Sequence, residues 1–226
     1  MEYLKLFDDF EDIRKICRKY CILNYTINTD GTIDVDADVH LSRRGLTKLP
    51  LKFNHVSGNF WCGENELTTL EGSPHSVGGG FYCHNNQLTT LEFSPKSVVG
   101  DFWCIENDLT TLEGSPKSLN SDFYCSNNNL TTLMGGPKSV VGHFTCLDNK
   151  ILTFEGAPNH VGRDFICDNN PIFNIWKLFR DYSKVELLND LDPIRDGDIL
   201  MDRFNTFLNM IGKDEVESVD GYNCIN

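Results

Sequence analysis

The stretch "FWCGENELTTLEGSPHSVGGG" (residues 60–80) decides the fold, because it returns at a constant spacing. "FYCHNNQLTTLEFSPKSVVGD" (81–101) and "FWCIENDLTTLEGSPKSLNSD" (102–122) follow it directly. Six of the nine cysteines lie 21 residues apart, at Cys62, Cys83, Cys104, Cys125, Cys146 and Cys167. One fixed period through most of a chain indicates a repeat protein and not a disulfide framework.

The other columns of the repeat each keep one type of residue. A Phe stands two residues before each Cys, an Asn three residues after it, and apolar residues five and eight residues after it. An earlier, degenerate copy places Val39, Leu41, Leu46 and Leu49 in the Phe, Cys and two apolar columns. Seven short parallel strands are therefore predicted, one for each copy.

The order Phe-x-Cys-x-x-Asn-x-Leu corresponds to the strand and turn of a leucine-rich repeat. In such a strand Phe and Cys point inward, and the Asn amide bonds backbone groups that would otherwise be buried without partners. The Gly, Ser and Pro that follow leave no room for a long helix, so turns and 3₁₀ fragments are expected on the convex side. The predicted fold class is an α+β solenoid: a right-handed leucine-rich-repeat solenoid of about seven 21-residue repeats with a concave parallel β-sheet.

Longer stretches of the sequence resemble one group of proteins more closely. "TINTDGTIDVDADVHLSRRGLTKLPLKFNHVSGNFWC", followed by units of the form "LEGSPxSVGG", is similar to leucine-rich-repeat proteins encoded by tailed bacteriophages, roughly over residues 20–175. The resemblance implies a viral origin and a solenoid fold. It brings no catalytic residue with it.

The ends of the repeat array are predicted to be capped, as a solenoid requires. Residues 1–35 form the N-terminal cap, with an amphipathic helix over 2–22 and a hairpin that turns at Asp30-Gly31, a dipeptide favoured in type I′ turns. The repeats occupy residues 36–172. Residues 173–226 form a C-terminal cap of two or three helices, in which Ser183 and Glu186 make a capping box and the last residues add a strand or pack across the end.

The residue between each Phe and Cys is predicted to point outward, onto the concave sheet. These residues form one column, with members about 4.8 Å apart, that ends in Thr145 and Ile166. Exposed Trp and Tyr are typical of binding hot spots, but stacked aromatics also stabilise neighbouring strands without any partner. Both interpretations stay open for the aromatic members: His40, Trp61, Tyr82, Trp103 and Tyr124.

Acidic residues are expected to flank this column, against only Arg43 and Arg163. An aromatic strip with acidic flanks suits a basic, partly apolar protein surface, although acidic flanks also keep an exposed apolar strip soluble. The predicted acids are Asp38, Glu64, Asp101, Glu106, Asp122, Asp148, Asp164 and Asp168.

Metal, cofactor and catalytic sites are not expected. The six repeat cysteines lie along a line and not around a point, so they are interpreted as buried apolar side chains, as are Cys17 and Cys21. Cys224 is the thiol expected to be exposed. "DGTIDVDAD" (residues 30–38) resembles a calcium loop, but its Gly and Glu are out of register. The six histidines complete no catalytic motif.

Bulk properties narrow the class of partner. A net charge of −13 argues against binding to nucleic-acid backbone. No apolar run approaches the length of a membrane span, and the N-terminus mixes acids into its apolar positions, unlike a secretion signal. A cytoplasm is therefore the expected location, and the viral resemblance implies that it is the cytoplasm of an infected bacterial host.

The expected function is that of a non-enzymatic protein-binding module, which inhibits or masks a bacterial host protein, with a defence factor as the favoured partner. The inhibition step is an analogy from the viral resemblance. Alternatives are a virion or assembly component, a ligase like the repeat-bearing bacterial effectors, and a DNA mimic. Residues 173–226 are too few for the catalytic domain of such ligases, and a DNA mimic would need carboxylates spaced like phosphates.

Overall fold

The computed structural model describes residues 2–195 and 197–225, with side chains from residue 10 onward. It shows an α/β architecture in which short parallel strands recur about every 21 residues, an arrangement compatible with a solenoid. Each repeat contributes two strands of mostly two residues. Two strands, β1 (Tyr25–Ile27) and β2 (Ile33–Val35), precede the repeats. In chain order the strands of the repeat region are β3 (Val39–His40), β4 (Phe53–Val56), β5 (Phe60–Trp61), β6 (Ser76–Val77), β7 (Phe81–Tyr82), β8 (Ser97–Val98), β9 (Phe102–Trp103), β10 (Ser118–Leu119), β11 (Phe123–Tyr124), β12 (Ser139–Val140), β13 (Phe144–Thr145), β14 (His160–Val161) and β15 (Phe165–Ile166).

The main sheet has seven parallel strands, as predicted, in the order β15-β13-β11-β9-β7-β5-β3. Each Phe pairs with the Phe of the next repeat, so the columns of the sequence become columns in space. The Phe and Cys side chains point inward, and all six repeat cysteines are fully buried. Successive Phe rings lie 5.3–5.6 Å apart between centroids and continue from Phe60 to Phe165. This continuous apolar stack is the core of the repeat region.

A second column, of buried asparagines, ties each repeat to the one before it. The Asn107 side-chain amide donates to the carbonyl oxygens of Cys83, Cys104 and Ile105, and its Oδ1 accepts from the Leu88 backbone N–H at 3.1 Å. Comparable bonds are made by the buried Asn86, Asn128, Asn149 and Asn170 and by Asn65, which is half-buried. The predicted role of this Asn column is confirmed.

The opposite side of the repeats differs from the prediction of 3₁₀ fragments. A second set of strands lies there, arranged as a five-stranded sheet (β1-β2-β4-β6-β8) and a three-stranded sheet (β10-β12-β14). Among the described residues the 3₁₀ helix lies only at Tyr182–Lys184, outside the repeats. Turns recur on this side, as predicted. The 3₁₀ part of the prediction was wrong because it considered Gly, Ser and Pro and overlooked the Ser-Val pairs, whose buried Val and exposed or half-exposed Ser form short strands.

These two sheets are separated by a split between β8 and β10. At the preceding interface, between β6 and β8, the backbone N–H groups of Lys96, Val99 and Gly100 donate to the previous repeat over 2.9–3.1 Å. The equivalent donors Lys117, Asn120 and Ser121 make no backbone hydrogen bond within the described part of the chain. The main sheet stays continuous across this position, through β9 and β11.

The N-terminal end carries α1 (Glu2–Lys19) and an antiparallel hairpin of β1 (Tyr25–Ile27) and β2 (Ile33–Val35). The hairpin extends the five-stranded sheet through β4. Gly31 has φ +80°, but Asp30 does not have the positive φ that a type I′ turn needs, so that prediction was wrong. The Asn28 N–H bonds the Thr32 carbonyl and closes a three-residue loop that ends in a left-handed glycine. Tyr3, Leu4 and Phe7, part of the predicted apolar helix face, lie outside the described side chains.

The C-terminal end contains helices, as predicted, and its last residues add a strand, which was one of the two predicted alternatives. α2 (Phe173–Phe179), the 3₁₀ helix, α3 (Val185–Leu191) and α4 (Met201–Met210) are joined by a sheet of β16 (Ile194–Arg195), β17 (Asp198–Leu200) and β18 (Asn223–Ile225). Aromatic residues of this segment, Trp176, Phe179 and Tyr182, pack on Phe154 and Phe165 of the last repeats.

The capping box predicted in this segment is not formed. Ser183 lies inside the 3₁₀ helix, and its N–H and hydroxyl both donate to the Asp181 carboxylate. Lys184 occupies the N-cap position of α3 and makes no side-chain capping bond. Asp181 is the acceptor, so the capping oxygen lies two residues earlier than the S-x-x-E pattern indicates.

Candidate functional site

The candidate site is the aromatic column formed by His40, Trp61, Tyr82, Trp103 and Tyr124. Each residue is the second residue of its strand in the main sheet and points away from the core, because Phe and Cys on either side point inward. His40 is exposed and the other four are half-buried. The column continues into Thr145, which is buried, and Ile166, which is half-buried. The outward direction agrees with the prediction, but the rings are less exposed than expected.

The column has two parts with different ring geometry. His40, Trp61 and Tyr82 form a flat stack, with centroid distances of 4.2 and 5.5 Å and interplanar angles of 6° and 9°. Trp103 stands across the column, at 79° to Tyr82 and 68° to Tyr124, with both centroids 5.4 Å away. The regular sequence pattern gave no sign of this change of orientation.

Two glycines and a histidine belong to the site and were missed by sequence reasoning. A Cβ atom at Gly80 would collide with the Tyr82 hydroxyl, and one at Gly63 would meet the His84 ring. His84 lies 6.1 Å from Trp103 between ring centroids. The available signal was that Gly80 and Gly63 interrupt columns whose other members carry polar or bulkier side chains.

The acids before the strands have a structural role that the sequence did not reveal. Asp38, Asp101 and Asp122 each accept a hydrogen bond from the backbone N–H at the same position of the next repeat, over 2.7–3.2 Å. Asp122 also accepts from the Tyr124 hydroxyl at 2.9 Å. Burial and this hydrogen bond raise the pKa of Tyr124 to about 12. These three aspartates therefore fix neighbouring repeats to one another, and they also place carboxylates beside the aromatic column.

The acids after the strands are freer. Glu64, Glu106 and Asp148 occupy left-handed backbone positions with φ of 51–54°, and asparagines fill the alternate repeats. Glu64 accepts from the Arg43 guanidinium at 2.7 Å, which lowers the pKa of its carboxyl group. Glu106 and Asp148 are exposed, and among the described residues their carboxylates accept hydrogen bonds only from the side-chain amides of Asn85 and Asn169. The aromatic column thus runs between two rows of carboxylates, to which Asp164 and Asp168 add exposed members.

The cysteines are distributed differently from the prediction at two positions. Cys17 is buried as expected, but Cys21 is exposed, and Cys224 is only partly exposed and accepts from the Val219 N–H at 3.3 Å. Burial raises the pKa of Cys62, Cys83, Cys104, Cys125 and Cys146 well above the usual thiol range and that of Cys167 to about 12. Within the described residues no disulfide is formed.

This burial predicts the reactivity of the thiols. At pH 8 a thiol reagent should modify Cys21 rapidly, Cys224 slowly and the repeat cysteines not at all, because reagent access and thiolate formation are both suppressed. In denaturant all nine cysteines should react. Mass spectrometry of the labelled peptides measures this directly. Fast labelling of Cys104 in the native protein would contradict the buried register.

Comparisons with known proteins do not indicate a function, so the geometry of the aromatic column is the basis for proposing one. Within the described residues no three His, Cys, Asp or Glu side chains group as metal ligands would, and none of the described helices has the length and apolar character needed to cross a membrane. A scan against protein-family models finds no match for this chain, and searches of curated proteins and of solved structures find none either.

Proposed function

We propose that this protein is a non-enzymatic, bacteriophage-encoded leucine-rich-repeat module that binds a protein of the bacterial host through its aromatic column. Inhibition or masking of a host defence factor is the use that the viral resemblance favours. The observation that carries the proposal is the row of two Trp and two Tyr side chains that remain partly exposed across four adjacent strands. Residues of these two types dominate the energetic centres of protein interfaces.

The electrostatic setting supports a partner with a basic and partly apolar surface. Carboxylates border the aromatic column on both sides, and the chain carries a net charge of −13. Opposite charge on a partner would speed association, while the aromatic rings would supply most of the retained affinity. Asp101 and Asp122 accept hydrogen bonds from the backbone of the next repeat. Substitutions that test the role of charge without disturbing the fold should therefore be made at Glu106 and Asp148.

A purely stabilising role is the competing explanation, and the flat stack of His40, Trp61 and Tyr82 fits it. Such rings gain cross-strand stability whether or not a partner exists. The crosswise Trp103 does not extend this stack. The test is therefore placed at Trp103 and its neighbour Tyr124.

The experiment compares two double variants of the tagged protein as baits. Trp103→Ala with Tyr124→Ala removes two rings of the column, and Val99→Ala with Val141→Ala removes two exposed apolar side chains elsewhere. In lysate of a bacterium that carries the gene or its virus, we expect a partner that the parent and the valine variant retain. The aromatic variant should bind it at least tenfold more weakly, since a hot-spot residue is worth about 2 kcal/mol or more.

Thermal unfolding of both variants is the control. If the aromatic variant retains every partner while its melting temperature falls sharply, the column is a stabilising stack and the proposed site is wrong. A virion proteome would separate an inhibitor from a structural component of the particle.

A further inference from the structure

The two tryptophans of the aromatic column are covered in different ways. Trp61 has His40 stacked on one face and Tyr82 on the other, at angles of 6° and 9°. Trp103 has three aromatic neighbours, Tyr82, His84 and Tyr124, and all of them lie at 66–79° to its plane. Within the described side chains, no ring therefore lies flat against Trp103.

The direction of the Trp103 faces follows from the stack beside it. Tyr82 is parallel to Trp61 at 5.5 Å, so one Tyr82 face is turned toward Trp61 and the other along the column toward Trp103. Trp103 meets that face at 79° and so presents an edge to it. The faces of the indole are then turned away from the column axis.

The carboxylates that border the aromatic column at this point have no cationic side chain of their own. Asp101 and Asp122 lie before the strands and Glu106 after the Trp103 strand, and no Lys or Arg among the described residues forms an ion pair with any of the three. Burial is the main cause of the raised pKa of Tyr82, and the negative charge of Asp101 is the next cause. The same charge contributes to the raised pKa of Tyr124. A cation over Trp103 would thus meet both a π face and a negative potential.

We propose that Trp103 is the seat for an arginine side chain of the protein partner, which stacks on the indole and donates to a carboxylate beside it. This inference rests on the proposed function, because it names the chemistry that the aromatic column would recognise. Arginine fits better than lysine, since its planar guanidinium can stack on a ring and still direct N–H groups sideways to a carboxylate. A quaternary ammonium group has no N–H donors and would leave the carboxylates without hydrogen bonds.

The test titrates the full chain with hexa-arginine amide, hexa-lysine amide, the neutral isostere hexa-citrulline amide, and tetramethylammonium. The three tryptophans give three indole N–H signals in NMR spectra, assigned by single Trp→Phe variants. We expect the Trp103 signal to shift most with hexa-arginine, several-fold weaker binding of hexa-lysine, and no binding of hexa-citrulline. Trp103→Leu should weaken hexa-arginine binding about tenfold, and Trp103→Phe should weaken it less, because a ring remains.

Several results would contradict the proposal that Trp103 is the seat for an arginine side chain. Equal affinity of the parent and Trp103→Leu for hexa-arginine, or equal affinity for arginine and lysine peptides, would mean that the carboxylates alone attract cations. A Trp103 shift with tetramethylammonium as large as that with arginine would replace arginine by a quaternary ammonium ligand. If Trp103→Leu fails to fold, the parent spectra and Trp103→Phe still decide.

The peptide titration and the partner-binding experiment can fail independently of each other. A partner lost from the Trp103/Tyr124 double variant, together with peptide binding that ignores Trp103, keeps the binding surface and rejects the arginine seat. Trp103-dependent peptide binding, together with a partner that the double variant retains, keeps the seat and rejects the proposed function.

Discussion

Replacing Asn107 with Ala should lower the free energy of unfolding by about 3 kcal/mol or more. The substitution leaves the buried Leu88 N–H unsatisfied, which costs about 1–3 kcal/mol. The carbonyls of Cys83 and Cys104 each lose one hydrogen bond, worth about 0.5–1.5 kcal/mol, and keep another from Asn86 and Asn128 respectively. Ile105 loses a further hydrogen bond. Denaturant unfolding followed by circular dichroism measures the change, with the fitted slope checked for constancy.

Asn120→Ala is the matched control, because Asn120 is exposed and its side chain makes no hydrogen bond within the described residues. It should change the free energy of unfolding by less than about 0.5 kcal/mol. Equal effects of the two substitutions would show that the asparagine column does not hold the repeats together.

Phe123→Ala should be about as damaging, with an expected loss of about 3–5 kcal/mol. Phe123 is fully buried, and its ring stacks between Phe102 and Phe144 at 5.5 and 5.3 Å. The cavity left behind would interrupt the stack in the middle of the repeat region. Thermal and denaturant unfolding both report this loss.

Phe93→Ala provides the same chemical change outside the core. Phe93 is 54% exposed and has φ +65°, in a column where Gly72, Gly114 and Gly135 also have positive φ. Because Ala keeps the left-handed strain and loses little burial, a change below about 1 kcal/mol is expected. A larger loss from Phe93→Ala than from Phe123→Ala would place the energetic centre of the repeats outside the Phe column.

Much of the fold followed from periodicity. The 21-residue spacing of Cys62 and its equivalents predicted the seven strands of the main sheet, the inward direction of Phe and Cys and the bonds of the Asn column. These followed because a strand has only two faces and a buried amide needs partners. The strand column through Ser97 and Val98 escaped notice, since two residues are too few to show an alternating pattern.

The site was predicted less completely than the fold. The positions of the aromatic residues followed from the register, but ring orientation depends on small neighbours such as Gly80, whose missing side chain makes room for Tyr82. The acids at positions 101 and 122 were read from their charge alone. Their backbone bonds to the next repeat depend on the exact stacking of repeats, which a single sequence does not display.

The split between β8 and β10 bears on how the two halves of the chain share their stability. In a stack where each repeat touches only its neighbours, cooperativity passes from one interface to the next. Three backbone bonds present at the preceding interface have no counterpart at this one, among donors that are all described. We therefore expect this interface to transmit less cooperativity than those on either side. The two blocks that it separates stay joined by the Phe core, the main sheet and the bond from the Asp122 N–H to Asp101, and Trp103 and Tyr124 pack edge to face between β9 and β11.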